Sequence, residues 1–243
     1  MKYAFRTDKG KKRETNQDSC IAFCPEENVC FAVVCDGMGG GNAGDVASLL
    51  AVNTIYERVK SSWRKGMSAD SVKNLLLTSI SAANICVYDA ATAQKELFGM
   101  GTTVVAAVLM GDHLIVAHAG DSRAYLSTDE GLRLLTRDHS VVQAMVDAGE
   151  ISAAEAKGHP QRNYITRALG VDEHIDVDFT DFSIRPGEKV LLCSDGLSNY
   201  VSEEQIDVLL HTSPEDFIPK RLIDAANDNG GGDNITAVVI ISQ

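Results

Sequence analysis

Twice in this chain a short apolar run stops on the pair Asp-Gly. Phe31-Ala-Val-Val-Cys35 leads into Asp36-Gly37, and Val190-Leu-Leu-Cys193 leads, through Ser194, into Asp195-Gly196. Each run is too brief for a helix and rich in β-formers, so each reads as a buried strand. A carboxylate at the end of such a strand stands on a rigid mount. After Asp36 come Gly37, Gly39, Gly40 and Gly41, which leave backbone free to approach a ligand closely. One Asp-Gly by itself is an ordinary turn; the repetition of the pattern points further.

Buried strands need a core, and the chain can supply one. At 243 residues, 44% of them hydrophobic and 23% charged, it has ordinary globular composition and would bury roughly 70% of its extended surface. It carries no repeat, low-complexity tract or recognisable linker, so residues 1–243 are expected to form one domain. The opening MKYAFRTDKG lacks the apolar run of a signal peptide, and no apolar stretch suggests a membrane span. With the chain ending at Gln243 directly after its last strand, a cytoplasmic protein without a membrane anchor is expected. A net charge of −12 argues against nucleic acid or an anionic membrane as partner. The six cysteines lack zinc-site spacing and mostly lie in apolar runs, as reduced buried thiols would.

Strands are predicted over Tyr3–Asp8 and Ser19–Phe23, followed after the Asp36 strand by two successive helices. The first carries Val46, Leu49, Val52, Tyr56 and Val59 at helical spacing; the second spans Ala69–Ala93. The period then changes to β over Thr102–Met110, His113–Ala119, Ser122–Ser127 and Gly131–Leu135. Asp138–Gly149 is predicted helical, and Glu150–Gly170 is a mixed, polar insertion. Strands resume at Ile175–Phe182 and Val190–Cys193. Helices follow at Ser202–Leu210 and Pro214–Asn227, then a last strand at Ile235–Ile241. Consecutive helices and consecutive strands imply antiparallel sheets with segregated helices, an α+β fold.

In this layout Asp18 enters a strand, Asp36 and Asp195 leave strands, Asp121 lies in a Gly-Asp turn and Asp233 precedes the last strand. If these ends meet, two like charges about 4 Å apart repel by roughly 4 kcal/mol at an effective dielectric near 20, so the cluster must protonate or bind cations. Oxygen ligands without a His or Cys pattern favour Mg²⁺ or Mn²⁺. The matching chemistry is hydrolysis of a phosphate ester by metal-activated water. A dinucleotide fingerprint, Gly39-x-Gly41-x-x-Gly44, also follows a strand and opens a helix, but a second helix follows instead of a parallel strand, so the βαβ context is missing.

Taken in order, Arg13-x-x-x-Gln17-Asp18, Val34-Cys-Asp36-Gly37-Met38-Gly39-Gly40, Gly101-Thr-Thr103, Gly120-Asp121-Ser122-Arg123, Thr136-x-Asp138-His139, Thr166-Arg-Ala-Leu-Gly170, Cys193-Ser-Asp195-Gly196-Leu197 and Asp233-Asn234 span nearly the whole chain. This set resembles the PP2C-type (PPM) metal-dependent serine/threonine phosphatases in their compact bacterial form. The resemblance implies a four-layer α-β-β-α sandwich of two antiparallel sheets flanked by helix pairs, with a flap at about 140–170. It implies two Mn²⁺ or Mg²⁺ ions bridged by Asp36, with the Gly37 carbonyl on one of them. Asp195 and Asp233 would hold the first ion and Asp18 the second, with Asp121 and Asp195 at a weaker third site. Arg13 would grip the substrate phosphate, through the two parallel hydrogen bonds that a guanidinium allows. The implied partners are phosphorylated proteins and a cognate Ser/Thr protein kinase; a monomer is expected.

The chain departs from the family pattern at four places. Gln17 stands for the usual Glu, Met38 for a His proposed as general acid in eukaryotic members, Gly41 for a His of bacterial members, and Asp45 for Glu. Gln17, Met38 and Gly41 keep open a reading as a low-turnover phosphosensing or scaffold module of the same fold, and a phosphomonoesterase for small molecules is a second alternative.

Overall fold

The computed structural model describes residues 1–40 and 43–243. Gly41, one of the departures above and part of the glycine fingerprint, lies outside the described residues. Two sheets, antiparallel throughout, form the centre. The first is ordered β1 (Lys2–Asp8), β11 (Ile235–Ile241), β10 (Lys189–Cys193), β7 (Arg123–Thr128), β8 (Gly131–Leu134). The second is ordered β2 (Asp18–Glu26), β3 (Val29–Met38), β5 (Val104–Met110), β6 (His113–Ala119), β9 (Asp178–Ser183), with the two-residue β4 (Gly101–Thr102) on the end of β3.

Alternation along the strands builds three apolar layers. Ala32, Val34, Val105 and Val116 of one sheet meet Ala124, Val190, Leu192 and Val238 of the other. The opposite faces, carrying Phe31, Val33, Cys35, Val108 and Ile115, pack on α1 (Ala43–Ser62) and α2 (Ala69–Ala93). Tyr125, Leu191, Cys193 and Val239 pack on α6 (Glu203–Thr212) and α7 (Ile218–Asp228). The central strands are covered on both faces, which is why they read as unbroken apolar runs. The result is the α-β-β-α sandwich expected. With every pairing antiparallel, the described residues contain no βαβ unit for a dinucleotide.

Several boundaries differ from the sequence reading, each for a local reason. β3 does not stop at Asp36 but runs on to Met38, because its partner changes from β5 to β4, Gly37 opposite Thr102. The helix expected from Asp138 starts only at Val141 (α3, Val141–Asp147): Ser140 caps it, its Oγ accepting the Gln143 N–H at 3.2 Å, while Asp138 binds Arg123 instead. The mixed insertion contains a short helix α4 (Ala153–Gly158), opened by a reciprocal Ser152–Glu155 capping box. The helix expected from Pro214 begins at Ile218, with Pro219 in its first turn, where a missing N–H costs nothing. One turn, α5 (Asp195–Ser198), follows β10 directly. β9 begins at Asp178, while Ile175 and Val177 pack against the helix-side core ahead of it.

Among the described residues one helix, α2, is long and apolar enough to cross a membrane by length and composition, which the sequence reading did not anticipate. Its stripe Val72, Leu76, Ile80, Ala83 and Val87 is wholly buried against the sheet and α1, the arrangement of a core helix.

Candidate metal centre

Antiparallel pairing sets where the carboxylates fall. Asp18, the first residue of β2, lies directly opposite Asp36 of β3. Asp36 is fixed through its backbone: its N–H donates to Thr103 Oγ1 at 2.9 Å, and its carbonyl accepts from Thr102 Oγ1 at 2.9 Å. Thr103 Oγ1 is also 2.7 Å from Ser122 Oγ, which ties Asp36 to the Gly120-Asp121 turn between β6 and β7. In the other sheet Cys193 pairs with Ala237, so Asp195, just past β10, and Asp233, just before β11, share the same end. Ser194 joins the two sheets there. Its Oγ donates to Asp18 Oδ2 at 2.7 Å and accepts the Thr236 N–H at 3.0 Å.

Two glycines at this end allow close backbone approach. A Cβ on Gly37 would collide with the Gly44 carbonyl, and one on Gly44 would meet the Gly37 oxygen at 2.8 Å. Gly44 therefore serves the docking of α1 onto β3. Gly37 also donates its N–H to the Gln17 carbonyl at 3.0 Å. Asn234 braces the preceding loop: its Oδ1 accepts from Gln17 N at 2.8 Å while Nδ2 donates to the carbonyls of Lys9 and Thr15.

All five predicted carboxylates thus gather at one end of the sandwich. Asp121, Asp195 and Asp233 line a cavity of about 570 Å³ that extends beneath α3 and α4. Burial is the largest cause that pushes Asp36, Asp18, Asp195 and Asp121 upward, and neighbouring carboxylates add to it, while at Asp18 the hydrogen bonds from Ser194 and Thr236 oppose the shift. Asp195 rises to about 6, Asp18 to about 7 and Asp121 to about 8, and Asp36 sits well above its ordinary range with Asp18 and Asp195 as its main repelling neighbours. Asp18 Oδ1 is buried with no hydrogen-bond partner. An orphaned carboxylate oxygen among mutually repelling carboxyls is the donor set of a hard divalent cation. Arg13 reaches the rim, where NH2 donates to Asp233 Oδ2 at 2.9 Å; the Asn234 N–H takes Oδ1 at 2.8 Å. The residue expected to hold a phosphate therefore rests on a residue expected to hold a metal.

A second polar cluster lies at the edge of the other flank. His118, His139 and Asp178 bring one candidate ligand atom each within 4.8 Å of the others. The two imidazoles stack, with ring centroids 4.6 Å apart. Gly120 donates its N–H to His139 Nδ1, leaving the ring proton on Nε2, 3.3 Å from Asp178 Oδ2. Burial and the neighbouring His118 lower the His139 pKa. The cation here is already present: Arg167 NH1 donates to Asp178 Oδ1 at 2.7 Å and lies 3.2 Å from His139 Nε2. Sequence reasoning passed over this cluster because its members are far apart in the chain. It also assigned no task to Thr103, Ser194 or Asn234, although each adjoins or belongs to a motif already marked. Cys35 and Cys193 are fully buried, and burial pushes the Cys193 thiol up to about 12, as expected of core packing groups.

The model of the protein phosphatase 2C family matches residues 8–222. The chain is 37% identical to the serine/threonine phosphatase stp of Listeria monocytogenes, over 99% of this chain and 95% of that protein. Among solved structures it is similar to the S. agalactiae serine/threonine phosphatase, with TM-score 0.92 and 33% identity over 100% of this chain and 99% of that one. It is also similar to the catalytic domain of the serine threonine protein phosphatase PstP in complex with two manganese ions, with TM-score 0.86 and 34% identity, covering 100% of this chain and 98% of that one.

Proposed function

The chain belongs to the protein phosphatase 2C family, and from that premise we propose that it hydrolyses phosphoserine and phosphothreonine esters of proteins with the help of divalent ions at the carboxylate end. One observation carries this reading: five aspartates from both sheets converge there, with an unpartnered buried oxygen on Asp18. In this assignment Asp36 would serve both ions and the Gly37 carbonyl one of them, Asp195 and Asp233 would hold the first, and Asp18 would hold the second. Asp121 and Asp195 offer a third, weaker position. Mn²⁺ or Mg²⁺ suits the all-oxygen set. When bound, such ions supply Lewis-acid stabilisation of the phosphoryl oxygens and an acidified water.

The chain's own residues have separate tasks. Ser194 and Thr103 hold Asp18 and Asp36 in place through the hydrogen bonds already described. Arg13, half exposed at 52%, is free to leave Asp233 and take two oxygens of the substrate phosphoryl group, which its planar fork fits. The carboxylates would repel that dianion, so substrate entry depends on prior charge neutralisation. Met38 offers no proton to the leaving alkoxide, so no side chain at that position acts as general acid. Residues 1–243 act as one domain in this reading, and 140–170, which carries α3 and α4 over the cavity, acts as its flap. Phosphorylated proteins are the substrates, and a Ser/Thr kinase supplies them.

The test is hydrolysis of p-nitrophenyl phosphate and of phosphothreonine peptides with and without Mn²⁺. Both activities should require the ion and fall at least about 100-fold in Asp233→Asn. A Mn²⁺-loaded protein inert on both substrates would refute the assignment.

A further inference from the structure

Beside the carboxylate end runs a groove of about 360 Å³. Met38, two residues beyond Asp36, forms the end nearest the site. Ile165–Ala168 form one wall, and Val171, Asp172, His174, Ile175 and Asp176 the other. Close backbone underlies these segments: Gly101 pairs with Met38, and a Cβ there would come within 3.1 Å of Val171 Cγ2 and 3.0 Å of the Leu169 carbonyl.

Both walls are held firmly. Buried Asn84 of α2 clamps the far wall, donating from Nδ2 to the Asp172 and Glu173 carbonyls and accepting the Gly170 N–H at Oδ1. Gly170 takes a left-handed φ of 84°, and a Cβ there would collide with Val87. The near wall is anchored by Arg167 on Asp178. That anchor also neutralises the positive charge in the groove. The carboxylates of Asp172 and Asp176 have no hydrogen-bond or ion-pair partner among the described residues, so the groove presents net negative charge beside apolar surface from Met38, Val171 and Ile175.

We propose that this groove is a subsite for a lysine or arginine flanking the phosphoresidue of a protein substrate. The inference rests on the phosphatase reading above. The fit is chemical. A long aliphatic stem covers Met38, Val171 and Ile175, and the cationic head reaches Asp172 and Asp176. The phosphoryl group at the carboxylate end and the basic side chain in the groove then engage oppositely charged or apolar surfaces at the same time. An acidic flanking residue would meet two unpaired carboxylates and be rejected.

The experiment compares phosphothreonine peptides bearing Lys or Glu at each position within three residues of the phosphothreonine, with p-nitrophenyl phosphate as a substrate that cannot reach the groove. Wild-type protein with Mn²⁺ should favour Lys over Glu about fivefold or more in kcat/KM at one or more flanking positions, mainly through KM. The preference should shrink as salt rises from 50 to about 500 mM. In the double variant Asp172→Asn/Asp176→Asn, whose changes are exposed and isosteric, it should fall below about twofold while p-nitrophenyl phosphate turnover stays the same. A wild type without Lys preference, or a double variant that keeps it, overturns the subsite and leaves the phosphatase reading standing. Loss of metal-dependent turnover on every substrate would overturn both.

Discussion

The molecule gathers acidic and ligand-type side chains at two places, and the two are resolved in opposite ways. At His118, His139 and Asp178 the cluster contains its own cation, because Arg167 donates to Asp178 and touches His139. At the carboxylate end, among the described residues, five aspartates face Arg13 on the rim and Arg123, whose charge is already taken by Asp138, and one oxygen of Asp18 has no partner. The first arrangement is electrically complete and ties residues 165–168 to the sheet edge. The second has a charge deficit that only added cations or protons can remove. Proximity of potential ligands is therefore a poor guide to a metal site, and the charge already present is the better one.

The largest expected effect separates the clusters by metal binding. Asp36→Asn should weaken Mn²⁺ binding in calorimetric titration by about 100-fold or more, whereas Asp178→Asn should leave it within about threefold. Equal losses would show that the histidine cluster is also part of the ion site.

Next comes pH. The carboxyls of Asp195, Asp18 and Asp121 sit near about 6, 7 and 8 in the folded chain, against roughly 3.9 when unfolded. Between those limits the folded state binds more protons, so stability is complete at low pH and is lost as pH rises through about 6 to 8. Urea denaturation in chelator should find the metal-free protein less stable at pH 8 than at pH 5 by about 2 kcal/mol or more. Saturating Mn²⁺ should remove most of that slope. A metal-free protein whose stability is flat over this range would show that the cluster is more solvated than its geometry indicates.

The smallest effect belongs to the self-neutralised cluster. Arg167 and Asp178 are partly exposed, at 35% and 49%, so Arg167→Ala should cost no more than about 1 kcal/mol in the same denaturation assay. A loss several times larger would mean that this ion pair holds the wall of the groove more firmly than a surface pair can.

Much of this was legible in the sequence for a physical reason. The central strands are covered on both faces, so Phe31–Cys35, His113–Ala119 and Ile235–Ile241 announce themselves as apolar runs. Helix α2 carries a stripe strong enough to fix both its ends at Ala69 and Ala93. The weaker signals failed where a local hydrogen bond outcompeted propensity. Ser140 moved the start of α3, and Ser152 and Glu155 created α4 in a stretch with no apolar period.

The sequence by itself determined the aspartates, their placement at strand ends and turns, and the family they resemble, because strand periodicity and glycine placement are local properties of the chain. Tertiary structure alone decided which groups face each other. It brought Ser194 of one sheet onto Asp18 of the other, set Arg13 on Asp233 across 220 residues, and filled the His118–Asp178 corner with Arg167. Charge balance within a cluster depends on distances between segments remote in the chain, and those are fixed only when the two sheets pack.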